Sequence, residues 1–326
     1  MKLLILGGTI FVGRHIVASA LKAGHSVTTL NRGTYKLEEQ KDVERLIADR
    51  SADLHVLKNR KWDAVIDTCG YVPGVVSKSV EALQGCVDNY VFISTVSVYK
   101  NFPADEMDET APIKSINAGD EVEYGSLKSA CENAVEKVFH SHTTIVRPGL
   151  VVGPHDPTDR FTYWPVRVSQ GGRVLAPGDP ERRIQFIDAR DLGDFTVHLV
   201  EKKTTGAFNA TGPKDPLTMR QFLNECNAVG GNLAQFSWMD DDALTRAEVD
   251  PWMEMPLWIP ASDKEHSGFL KLNCQKAQKS GLRYLPLATT IKDTLMWSNS
   301  RGSSVEWKAG LRAKKEKELM ASIAQT

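Results

Sequence analysis

Over the first two hundred residues, short apolar runs alternate with segments whose apolar positions recur at helical spacing. Lys2 to Leu6, centred on Leu-Leu-Ile-Leu, reads as a buried parallel strand, and Gly7-Gly8-Thr9 breaks it. From Gly13 onward Ile16, Val17, Ala20 and Leu21 share one helical face, and Gly24 stands where that helix would stop. Further strands are expected at Ser26 to Leu30, Val43 to Ala48, Trp62 to Thr68, Tyr90 to Ile93 and Thr143 to Val146. A short helix begins at Leu54 and Leu57, and longer ones at Val75 to Leu83 and Asp120 to His140. Phe186 to Arg190 and then Asp191 to Val200 should return to the main sheet as strand and helix, followed by a strand at Gly206 to Ala210. This alternation predicts an α/β fold with a doubly wound parallel sheet, its ligand lying beyond the carboxyl ends of the strands.

Past residue 212 the periodicity fades. Thr218-Met219-Arg220-Gln221 reads as a capped helix start, Thr289 to Trp297 as a helix, and Trp307 to Ile323 as an amphipathic helix with a solvated Lys-rich face. The stretch holding Trp238, Trp252 and Trp258 has no regular period and is expected to form a loop or lid.

Composition narrows the function. A length of 326 residues suffices for two sub-domains and a large core. A formal net charge of −1 with 25% charged residues gives no general attraction for nucleic acid or membrane, and neither is expected as a partner. Cys69, Cys86, Cys131, Cys226 and Cys274 are scattered without paired metal spacing, so no metal is expected and a reducing, cytoplasmic setting is. The apolar start is cut by Gly7-Gly8 after a few residues, too soon for a signal peptide or a membrane span.

The chemistry enters at two places. Strand, glycine turn and helix is the arrangement in which backbone N–H groups and a helix N-terminus hold a pyrophosphate. The second strand, whose end faces the adenosine ribose in such folds, finishes in Asn31-Arg32 without a carboxylate. Donors and a positive charge there suit a 2′-phosphate, hence NADP before NAD; the competing reading is an arginine in a solvated turn. Arg14 either adds to that charge or lies on the helix surface. The second place is Tyr124 and Lys128, four apart on one helix face after a hydroxyl-rich strand end, Ser94 to Ser97. A free phenol titrates near pH ~10, and an adjacent ammonium favours its phenolate.

Gly7-Gly8-Thr9-Ile10-Phe11-Val12-Gly13 resembles the Gly-Gly-Thr-Gly-Phe-Ile-Gly loop of extended short-chain dehydrogenases/reductases, with Ile10 at the middle glycine. That departure resembles atypical, epimerase/dehydratase-like members. Ile10, being β-branched, should avoid positive φ, so the loop should curve differently and the pyrophosphate rest near Phe11 and Val12. Arg147-Pro148-Gly149 with Gly153-Pro154 resembles the family's Arg-Pro and Gly-Pro turn. The resemblance implies a Rossmann domain of residues 1–147 and 184–210, and a substrate domain of 148–183 and 211–326. It implies that Thr95, four residues before Tyr99, holds the substrate oxygen, that Tyr124 is the general acid/base, and that Lys128 holds the nicotinamide ribose. Asp49, with Arg50 beside it, would reach the adenine; Cys69 and Gly70 would admit the ribose; Pro148 would contact the carboxamide.

The expected activity is therefore NAD(P)-dependent redox chemistry on a carbonyl or secondary alcohol of a small molecule, by reduction or within an epimerisation. Val96-Ser97 offers no extra acid, which counts against dehydration. Arg160 to Trp164, with Arg173, Arg182 and Arg183, reads either as a ring-stacking, phosphate-pairing surface or as a core edge with solvated arginines. The phosphate-binding arginine of sugar-nucleotide epimerases aligns with Ile184, one residue after Arg183. The rival class is a non-catalytic binding protein on the same fold, similar to the chloroplast stem-loop RNA-binding relatives. Oligomeric state, a homodimer included, stays open.

Overall fold

The computed structural model describes residues 1–103, 106–116, 122–302 and 305–323. Seven parallel strands make the central sheet: β1 (Lys2–Leu6), β2 (Ser26–Asn31), β3 (Glu44–Ile47), β4 (Trp62–Asp67), β5 (Val87–Ile93), β6 (Thr143–Pro148) and β10 (Gly206–Ala210). Their order is β10-β6-β5-β4-β1-β2-β3. The order reverses between β1 and β4, and such a switch point opens a crevice at the carboxyl edge. Helices α1 (Phe11–Lys22), α2 (Pro73–Leu83), α3 (Tyr124–Phe139) and α5 (Ala189–Glu201) flank the sheet. Strand residues such as Leu4, Ile5, Val65, Ile66 and Val91 are fully buried, as expected when both faces are covered.

The second part carries two small sheets. One comprises β7 (Val151–Val152), β9 (Arg183–Asp188) and β11 (Gly212–Thr218); the other comprises β8 (Gly172–Pro177) and β12 (Ala234–Met239). Around them lie α4 (Tyr163–Ser169), α6 (Met219–Val229), α7 (Asp241–Arg246), α8 (Gln275–Lys279), α9 (Leu287–Ser300) and α10 (Ala313–Ile323). Trp164, Phe161, Phe222 and Trp258 form the centre of this second core.

Two expectations are corrected. The strand expected around Phe186 does not return to the main sheet; it pairs with β7 and β11, and only α5 packs back, against α1. Periodicity cannot tell which sheet an apolar strand joins. The long helix begins at Tyr124 and ends at Phe139; positions 120 and 121 of the expected helix lie outside the described residues. Thr218 does cap α6, by a reciprocal bond with Gln221. No described helix is long and apolar enough to cross a membrane.

One buried ion pair fixes α3 against the sheet. Arg147 on β6 donates from Nε and Nη2 to the two oxygens of Glu132 on α3, at 3.0 and 2.7 Å, with both side chains nearly inaccessible. Its Nη1 also donates to the Tyr99 hydroxyl, which donates in turn to Asn209 on β10. Replacing Glu132 by Leu leaves a buried guanidinium without its carboxylate, so a loss of about 3–5 kcal/mol is expected in urea unfolding. The double variant Glu132→Leu/Arg147→Met should recover most of it. A single-variant loss below about 1 kcal/mol, the range of surface pairs, would contradict this role.

Candidate active site

The turn after β1 is shaped by contacts that admit only glycine. Gly7 and Gly8 take φ of +99° and +89°. A Cβ on Gly7 would lie 2.5 Å from Thr68 Oγ1, and one on Gly13 would lie 2.7 Å from the Gly8 nitrogen. Ile10 stays extended at φ −119° and ψ 138°, as a β-branched residue should, while Phe11 takes the left-handed value of +31°. Ile10 caps α1 without a side-chain bond, and the helix has no acid in its first turn. The first N–H groups of α1 are therefore left to an anion, and Thr9, Phe11 and Val12 line the approach to them. This cradle of close backbone and open N–H groups fits a dinucleotide pyrophosphate.

The cradle lines a cleft of about 650 Å³. Asn31, Arg32, Asp49 and Arg50 line the same cleft. Asn31 is a brace: its Nδ2 donates to the Gly7 carbonyl at 3.3 Å and its Oδ1 accepts from Gly33 N at 2.9 Å. Asp49 accepts from the backbone N–H and hydroxyl of Ser51, which lower its carboxyl. Arg50 differs from expectation. Its two Nη groups hold Asp67 at 2.7 and 2.8 Å and its Nε donates to Ser79, so its charge is already matched inside the protein. Arg32 is exposed on the cleft wall, and no hydrogen bond or ion pair holds its guanidinium among the described residues. Arg14 pairs with Glu39 and meets His155 Nδ1 at 3.2 Å, which takes it out of the cleft's free charge.

Thr95, Tyr124 and Lys128 line the same cleft, with Cys69 and Pro148. The close approach of α3 depends on Gly125, because a Cβ there would sit 2.0 Å from the Ser97 carbonyl oxygen. Tyr124 can thus share a hydrogen bond with the Thr95 side chain while about half of the residue (51%) stays exposed. Burial of its hydroxyl end and the nearby Tyr71 phenol push Tyr124 up to about 12, and the Thr95 bond only partly offsets this. The expectation of an ammonium-lowered phenol is not met. Lys128 has turned instead to the carbonyls of Gly70 and Ile93, at 2.8 and 2.7 Å, with Nζ 4.2 Å from the centre of the Phe92 ring. Burial lowers Lys128 to about 8.

On the substrate side the aromatic stretch proves to be core: Phe161, Thr162 and Trp164 are fully buried. Arg182 and Arg183 are spent on Asp241 and Glu106. Sequence reasoning passed over Gly125, Asp67 and Tyr90. Gly125 was readable in retrospect, as a glycine inside the first turn of a helix. Asp67 and Tyr90, whose hydroxyl donates to Asp67 at 2.8 Å, carried no local signal because their partners lie on other strands and loops.

The fold and the glycine turn define an α/β protein of the doubly wound, Rossmann-like class, with a cleft at the carboxyl edge of its sheet. The chain belongs to the NAD dependent epimerase/dehydratase family, which it matches over residues 3–210. Among curated proteins it is 26% identical over 253 residues to the chloroplast stem-loop binding protein of 41 kDa b from Arabidopsis thaliana, covering 71% of this chain and 63% of that one. It is also 26% identical over 261 residues to the 2-alkyl-3-oxoalkanoate reductase of Stenotrophomonas maltophilia, covering 71% and 76%. Among solved structures, UDP-glucuronic acid 4-epimerase from Bacillus cereus in complex with NAD superposes with a TM-score of 0.67 at 18% identity, covering 92% of this chain and 99% of that one. The UDP-Glc/GlcNAc 4-epimerase from Campylobacter jejuni gives 0.69 at 16% identity, covering 92% and 99%. At those identities the structures speak for the fold.

The depressed Lys128 has a consequence for stability. Below about pH 8 the ammonium is present in folded and unfolded chains alike, and its desolvation cost is fully felt. Between about 8 and the ordinary value of 10.5 only the unfolded chain still holds the proton, so this group makes stability rise with pH; above that range its contribution is flat. Urea unfolding of wild type and Lys128→Met at pH 7 and pH 10 isolates the effect. The stability difference between the two should shift in favour of wild type at pH 10; an unchanged difference would contradict the burial argument.

Proposed function

We propose that this protein is an NADP(H)-dependent reductase of the short-chain dehydrogenase type, acting on a carbonyl of a small molecule. The observation that carries the reading is the joint lining of one cleft by the glycine cradle, Thr95, Tyr124 and Lys128. The cradle and the α1 N-terminus would hold the pyrophosphate, Arg32 the 2′-phosphate and Lys128 the nicotinamide ribose. The bound dinucleotide supplies hydride to the substrate carbon. Thr95 would hold the substrate oxygen, and Tyr124, protonated at neutral pH in this setting, would give its proton to that oxygen as negative charge builds.

A phenol that keeps its proton suits the reductive direction, and reductase names among the curated relatives favour the same direction. A nucleotide-sugar substrate has less support, because Arg182 and Arg183 already hold carboxylates. Dehydration lacks an acid beside Thr95. A near-neutral formal charge gives RNA binding no electrostatic footing.

Two experiments test the reading. Tyr124→Phe should lose turnover by about 10²–10⁴-fold with dinucleotide affinity nearly unchanged, measured by steady-state kinetics and calorimetry. Full activity in that variant would remove Tyr124 from the chemistry. For the cofactor, calorimetric titration of wild type and Arg32→Ala with both dinucleotides is decisive. Loss of a charge-assisted bond should cost NADP about 1.5–3 kcal/mol and spare NAD. Equal losses, or tighter NAD binding by wild type, would return Arg32 to the solvated surface.

A further inference from the structure

Tyr71 stands beside the residues assigned to the chemistry and has no part in it so far. It follows the turn after β4, where Asp67 accepts from Cys69 N at 3.1 Å, and it lines the cleft with 54% of its surface exposed. Lys128 Nζ lies over its ring, 5.3 Å from the centre, a placement that the attraction of a cation for the ring face favours. Its phenol is near enough to Tyr124 to raise that group. Val72, the next residue, is also more than half exposed and lines the same cleft. A half-exposed ring and an exposed valine therefore open onto the cleft that holds Tyr124.

The charges of the cleft lie elsewhere or are taken. Among its lining residues only Arg32, Asp49, Arg50 and Lys128 carry a charge at neutral pH. Arg32 follows β2, which is three strands from β5 in the sheet, so about 14 Å separates that strand from the one before Thr95. Asp49 follows β3, one strand further out. Arg50 is matched by Asp67, and Lys128 faces the carbonyls of Gly70 and Ile93. The strands on either side of β5 bring Cys69, Tyr71 and Val72 after β4, and Pro148 and Gly149 at the end of β6, none of them charged. No described residue beyond Pro157 lines the cleft, so the arginines of the second part contribute nothing to it. Once a dinucleotide engages the glycine turn, Arg32 and Lys128, no free cation among the described lining residues is left to meet an anionic substrate. An unpaired charge enclosed there would be costly.

Resting on the reductase reading, we propose that the substrate is an uncharged aryl ketone, its ring lying on Tyr71 and its carbonyl oxygen between Thr95 and Tyr124. Hydride from the reduced dinucleotide adds to the carbonyl carbon and the Tyr124 proton to its oxygen, leaving a secondary alcohol and the oxidised dinucleotide. Tyr71 is then the specificity-determining residue: ring contact favours a planar apolar group over a saturated one of similar size. The absence of a counter-charge rejects anions.

Binding and turnover are read separately on the full chain, saturated with whichever of NADP and NAD binds more tightly. Ligand-observed NMR titration compares acetophenone, cyclohexyl methyl ketone and 4-acetylbenzoate, the last being acetophenone with a para carboxylate. Acetophenone should bind about threefold to tenfold more tightly than the cyclohexyl ketone, the gain of one aromatic pair. It should bind about tenfold to a hundredfold more tightly than 4-acetylbenzoate. In Tyr71→Leu the aryl preference should vanish while rejection of the carboxylate stays; in Tyr71→Phe both should stay. A carboxylate bound as tightly as the neutral ketone, no aryl preference in wild type, or an aryl preference kept by Tyr71→Leu overturns the proposal. Failure of wild type to bind any of the three also overturns it. If Tyr71→Leu does not fold, the same comparison is made with Tyr71→Met. Acetophenone bound in the expected order but not reduced by the reduced dinucleotide would strike the reductase reading and leave the aryl subsite standing. Absence of dinucleotide binding would strike the cofactor reading, and the three probes are then ranked on the free protein by the same criteria.

Discussion

The geometry of the site hangs on the buried pair of Glu132 and Arg147. A helix packed on a sheet by apolar contacts alone can slide or rotate by small amounts at little cost, because such contacts have no direction. A forked guanidinium on a carboxylate has one, and here it joins the middle of α3 to β6. Glu132 lies one turn beyond Lys128 and two turns beyond Tyr124 on the same face, so fixing it sets the rotation of all three. Tyr99, in the segment that follows β5, and Asn209 extend the network to β10, and Gly125 lets the first turn close onto Ser97.

A second buried pair works from the other side of the cleft. Asp67 at the end of β4 is wholly buried between Arg50 and Tyr90, and the Arg50 charge holds its carboxyl low despite that burial. Its Oδ1 also accepts from Cys69 N at 3.1 Å. The turn from Thr68 to Gly70 is thereby pinned, and on that turn rest Gly7, through Thr68, and Lys128, through the Gly70 carbonyl. The glycine turn and the lysine thus share one support. Arg50, the one member that faces the cleft, serves the wall rather than a ligand.

The parallel sheet and the glycine turn were legible because local pattern determines them: apolar runs of strand length, glycines at a break, a helical face after it. The Tyr124 and Lys128 pair was legible as spacing, and its cleft position followed from topology. The fate of the charges was not. Arg50, Arg182 and Arg183 read alike as basic residues near a ligand, and each is matched by a carboxylate from 17 to 77 residues away in the chain. Which arginine is left over is a property of the folded whole. The same holds for β9, whose apolar run fits either sheet until its neighbours are known.

The protonation states follow from this division of charge. With Lys128 facing two carbonyls and Phe92, its ammonium field is spent on the floor of the cleft, and Tyr124 is governed by burial and by Tyr71 instead. Without ligand the site holds a phenol that keeps its proton and a lysine near the point of losing one. A polyanion against the α1 N-terminus would reverse part of that. Negative charge in a low-dielectric cleft stabilises the ammonium. In the ligand-free cleft the phenol and the ammonium are thus uncoupled, because the lysine faces the floor and the phenol answers to burial and Tyr71.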